Sequence, residues 1–118
     1  MPSLFEVSAG KQAGPTTRGT VTQATNKTTG VTLNAESGQI TMNDAALGAA
    51  AEASFTVTTD KIAATDVVVA VHGSAGTAGS YLVGVSAIAA GSFGITVTNV
   101  SGGSLSEAIV LNYKIIKG

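Results

Sequence analysis

Apolar and polar residues alternate along much of this chain, and the alternation is that of short strands. From Ser92 to Val100, Phe93, Ile95 and Val97 fall on one face, and Ser92, Gly94, Thr96 and Thr98 on the other. Period two with β-branched and aromatic residues is the signature of a half-buried strand. Ser54–Thr59 alternates likewise, with Phe55 and Val57 inward, and Gly38–Met42 sets Ile40 and Met42 on a common face. Thr20–Ala24 and Val31–Asn34 are shorter, Thr-rich strand segments, and Ser80–Ile88 is a longer apolar one. Asp66–His72 is apolar on both faces and reads as a central strand. In Ala108–Lys117, Ile109, Leu111, Tyr113 and Ile115 share a face, while Val110 and Ile116 lie on the other.

Turn residues punctuate these runs. Asn26–Gly30 separates the first two strands, and Ala89-Ala90-Gly91 suits a three-residue hairpin with Gly in the left-handed position. Asn99 with Gly102-Gly103 shapes the turn before the last strand. The Ala-rich stretch Asn43–Ala53 has helix-forming composition, but Gly48 interrupts it and it reads as a loop. These features predict an all-β fold, an antiparallel β-sandwich of about eight short strands, immunoglobulin-like or jelly-roll. The sandwich spans Thr20–Gly118 and follows an extended N-terminal arm, Met1–Gly19, rich in Gly and Pro. The expected core is Phe55, Val57, Val69, Val83, Val85, Phe93, Ile95, Val97, Leu111 and Tyr113.

Composition narrows the function classes. Charged residues make up 11% of the 118 residues, against about 25% in an average protein. Ser, Thr, Gly and Ala replace them, giving a polar, weakly charged surface suited to packing against protein. The six basic residues are scattered and the net charge is −1, so no basic stripe for nucleic acid is present. No apolar run approaches the ~18 residues of a membrane-spanning helix, and no signal-peptide pattern opens the chain. The absence of cysteine excludes disulfides and thiolate metal sites.

Candidate chemistry is sparse. His72 is the single histidine; a Ser-His-Asp triad would need it, with Asp66 as orienting acid, yet no G-x-S-x-G elbow frames a serine. Asp44, Glu52, Asp60 and Asp66 sit in loops or at strand ends without calcium-loop spacing. Gly73–Gly79 lacks the Lys-Ser/Thr that follows a phosphate loop. Tyr81 and Tyr113 are aromatic residues of the kind sugar-binding faces use, but Tyr113 shares its face with core positions. The residues therefore point to a protein that is not an enzyme and holds no cofactor or metal.

Four stretches carry a family resemblance: T-V-T-Q-A-T-N-K-T-T-G-V-T-L-N (Thr20–Asn34), S-G-Q-I-T-M (Ser37–Met42), S-F-T-V-T (Ser54–Thr58) and A-I-A-A-G-S-F-G-I-T-V-T-N-V-S-G-G-S-L-S-E-A-I-V-L-N-Y (Ala87–Tyr113). From about Gly19 to Gly118 the chain resembles a domain of bacteriophage virion proteins, found in capsid decoration (cement) proteins and in head- or tail-fibre modules. The resemblance implies a non-catalytic capsid decoration protein on the virion surface that binds the major capsid protein, with a fibre module binding a host receptor or carbohydrate as the alternative. It also implies a homotrimer. No fibre shaft, collagen-like repeat or coiled coil accompanies the domain, which favours decoration. Self-association is expected from the two-faced apolar character of Asp66–His72 and Ala108–Lys117. Within the arm, Leu4, Phe5 and Val7 form an apolar cluster expected to contact the capsid or a neighbouring subunit.

Overall fold

The computed structural model describes residues 17–118; Leu4, Phe5 and Val7 lie outside the described residues. Eight strands form: β1 (Arg18–Thr22), β2 (Val31–Thr32), β3 (Ser37–Thr41), β4 (Glu52–Thr58), β5 (Val67–Ser74), β6 (Tyr81–Ala89), β7 (Ser92–Asn99) and β8 (Val110–Ile116). The first strand takes in Arg18 and Gly19, so the sheet begins two residues before the expected boundary. No described residue is helical, and Asn43–Ala51 runs as a loop, pinned by a Leu47–Leu105 bridge.

Two four-stranded sheets pack face to face, in the orders β1-β3-β8-β5 and β2-β4-β7-β6. The sandwich matches expectation, but its sheets are mixed. β1 pairs with β3, and β2 with β4, in parallel. The first five strands alternate between the layers, so the strand in one layer is the crossover that lets two strands in the other run the same way. Gly38 permits the close packing this creates: a Cβ there would come within 2.7 Å of the Gly19 carbonyl oxygen and 2.8 Å of Leu33. The β6–β7 connection is tighter than expected, a two-residue Ala90-Gly91 turn with Gly91 at φ 91°.

Alternating residues from both sheets fill the interior. Phe55, Val57, Phe93, Ile95, Val97, Leu111 and Tyr113 are buried as expected, joined by Ile40, Met42, Ile62 and Ile109. Phe93 and Tyr113 pack as tilted rings with centroids 5.5 Å apart. The Tyr113 hydroxyl donates to the Ala35 carbonyl at 2.8 Å, and burial pushes its pKa up to about 12. Val83 and Val85 pack on the core but remain half-buried.

Two expectations fail together at β5. Val69 is 49% exposed, and Val68, at 8%, takes the inward position. A shift of one residue moves a strand's whole inward set to the other face, and the Val67-Val68-Val69 run carries no phase to fix the choice. Nor is β5 central. It ends its sheet, hydrogen-bonded to β8 alone, and its outer valines are covered by nothing among the described residues.

Candidate interaction surface

The sandwich ends in four edge strands, and free edges are templates for pairing with other chains. Two carry a device that blunts them. β2 has only two residues. β1 has five and opens with Arg18. β6 pairs regularly with β7 from Tyr81 to Ser86, with a register shift only between Ser86 and Ala89, where Ala87 takes φ 55°. β5 reads V-V-V-A-V-H-G-S and pairs regularly with β8 from Val67 to His72, with a register shift only beyond that. It has no Lys, Pro or acidic residue, and along Val67–His72 no bulge.

The outer face of β5 continues the apolar character of its edge. Val67, Val69 and Val71 are 55%, 49% and 49% exposed, and Ile116, paired with Val67 across the sheet, is 45% exposed. Inland the same face turns polar and basic: Val69 lies opposite Lys114, Lys114 opposite Ser37, and Ser37 opposite Arg18. In the next row Gln39 Nε2 donates to Asn112 Oδ1 at 3.1 Å. A groove of about 400 Å³ crosses these rows, lined by Arg18, Gln39 and Asn112 among others. Leu82 at the start of β6 and Val100 after β7 are the remaining exposed large apolar residues among those described.

Both ends of β5 are pinned. At its start, Asp66 is buried and accepts from Lys117 Nζ, the Gly118 amide and the Ala63 amide. Lys117, with the two amides, holds the Asp66 carboxyl at about 2. At its end, His72 Nε2 lies 3.1 Å and 2.6 Å from the carbonyl oxygens of Ser74 and Ala75. Its ring meets Tyr81 edge-on, with centroids 5.3 Å apart. Tyr81 donates to Glu107 Oε1 at 2.8 Å, and Glu107 also accepts the Thr77 amide and hydroxyl. The Thr77 hydroxyl first, then Tyr81 and the Thr77 amide, lower the Glu107 pKa. Burial, reinforced by Glu107, pushes Tyr81 up to about 12.

The residues weighed for chemistry are thereby placed. His72 and Asp66 sit at opposite ends of β5, about 20 Å apart at strand rise, and each is engaged in holding its own end. Tyr81 and Tyr113 are buried with their hydroxyls bonded inward. Among the described residues, no three His, Asp or Glu gather as metal ligands.

That β5 is an edge is not legible in the sequence, although a signal for an interaction surface exists. From Val67 to Ser106 there is no Asp, Glu, Lys or Arg, a stretch that includes β5, β6 and β7. Interface cores are depleted of charge in this way. No family model, curated protein or solved structure matches the chain.

Proposed function

We propose that this chain is a non-catalytic structural protein of a bacteriophage virion, a decoration (cement) protein that binds the major capsid protein at the capsid surface and stabilises the particle. The observation that carries a binding role is the β5 flank: an unguarded edge with three half-exposed valines, on a strand held at both ends. Exposed apolar residues on a rigid scaffold favour protein contact. The virion assignment rests on the resemblance of Thr20–Asn34 and Ala87–Tyr113. Particles assembled without the protein provide the test. Added protein is expected to bind them saturably and to raise the temperature at which they release their contents. No binding to such particles overturns the proposal.

The Arg18–Gln39–Asn112 groove supports the second reading, a fibre module that binds a host receptor or carbohydrate. Its size falls within the roughly 300–1,000 Å³ range of ligand pockets, and it offers a guanidinium and two amides to a polar ligand. Binding on a glycan array that is lost in Arg18→Ala would favour this reading over decoration.

A further inference from the structure

We infer that the β5 edge joins two copies of this chain about a two-fold axis, making one continuous sheet of β1-β3-β8-β5 from each. β2 is short and β1 opens with a charge, while β5 and β6 each keep six regularly paired residues, Val67–His72 and Tyr81–Ser86, before an irregularity; of these two, β5 alone lines its outer face with a row of exposed valines, where β6 carries Leu82, Gly84 and Ser86. A strand of this kind is a pairing site for another chain.

The edge is complementary to itself. Two β5 strands set antiparallel with Val69 against Val69 bring Val67 of one copy opposite Val71 of the other, twice. All these residues lie on the outer face, so the exposed valines of both copies merge into one apolar ladder. Cross-strand pairs of β-branched residues stabilise sheets, and like charges directly opposite destabilise them. β5 carries no charged residue, so self-pairing brings no like charges together. The nearest cations on this face are the two Lys114 side chains, each one strand inland of β5. Three strand spacings separate them, about 14 Å, beyond the Debye length of roughly 8–10 Å in physiological salt.

The edge is also pre-organised. The Asp66 and His72 anchors fix both ends before a partner arrives, so less conformational freedom is lost on pairing. An isologous contact about a two-fold closes with two copies, against the three that the virion resemblance implies. The inference rests on the β5 edge and not on the virion reading, so a chain that stays monomeric yet binds particles overturns this inference alone.

Sedimentation of the full chain from about 1 to about 100 μM, the range in which a moderate interface is half-occupied, tests it. The expected result is a reversible monomer–dimer equilibrium. Val69→Lys, at an exposed position, is expected to fold with an unchanged circular dichroism spectrum and to dimerise at least about tenfold more weakly. Thr56→Lys, on the exposed outer face of the other sheet, is expected to dimerise as the parent does. A parent chain that remains monomeric throughout, a parent trimer, or a Val69→Lys variant that dimerises like the parent overturns the inference.

Discussion

At one flank of the sandwich the sheets end in β1 and β2, and at the other in β5 and β6. The β1/β2 flank is closed by polar side chains turned inward. Lys27, in the turn between the two strands, is buried, and its Nζ donates to the carbonyls of Asn43 and Glu107. Burial lowers its pKa, partly opposed by the charges of Asp44 and Glu107. Beside it, buried Gln23 donates to the Lys27 and Thr29 carbonyls and accepts the Asn43 amide, all at 3.0 Å. At this flank the chain satisfies its own backbone. The β5/β6 flank has the opposite composition: no charged residue in either strand, half-buried Val83 and Val85, and a row of valines outside. Charge and short strands end a sheet within one molecule, whereas an apolar edge without them leaves pairing capacity for another.

Substitution on the two flanks separates stability from association. The largest effect is expected at the polar flank. Lys27→Met removes the donor to two carbonyls, and leaving buried polar groups unpaired costs about 1–3 kcal/mol. Urea unfolding of Lys27→Met is expected to show that loss with self-association unchanged in the folded protein. A smaller effect follows at the Asp66 anchor. Its folded pKa of about 2 lies below the ordinary aspartate value of 3.8. The stability it contributes is therefore present at neutral pH and lost as pH falls from about 4 through about 2. Melting temperatures of the parent and Asp66→Asn are expected to differ at pH 7 and to converge toward pH 2. The smallest effect on stability is expected at Val69→Lys, within about 0.5 kcal/mol of the parent because the site is exposed.

How much of this was legible depends on what fixes each feature. Phe55, Val57, Phe93, Ile95 and Val97 could be placed from sequence because their neighbours alternate with them, and alternation records which face is wet. Val67, Val68 and Val69 could not, because three like residues in a row carry no phase. An apolar strand covered by the rest of its own domain and one covered by another molecule have the same local sequence; the strand order, set by contacts far apart in the chain, tells them apart. The parallel β1–β3 and β2–β4 pairs were hidden for a similar reason, since turn residues mark where the chain bends and not the layer it enters. In N-K-T-T-G, Lys27 reads only as part of a turn, and its distant acceptors, Asn43 and Glu107, reveal a buried strut. The site was half legible: the two-faced character of Asp66–His72 suggested a second cover, but not that the strand was an edge.

The chain contains no cysteine, so Val69→Cys introduces a unique thiol at the centre of the β5 edge. Directly opposed residues of antiparallel strands have Cα atoms about 4.5–5.5 Å apart, within the roughly 4.4–6.8 Å that a disulfide spans. Under mild oxidation at low micromolar concentration, Val69→Cys is expected to convert almost wholly to a disulfide-linked dimer, while Thr56→Cys on the opposite sheet stays monomeric. Equal and slow cross-linking of the two variants would contradict the assignment of β5 as the surface where two copies meet.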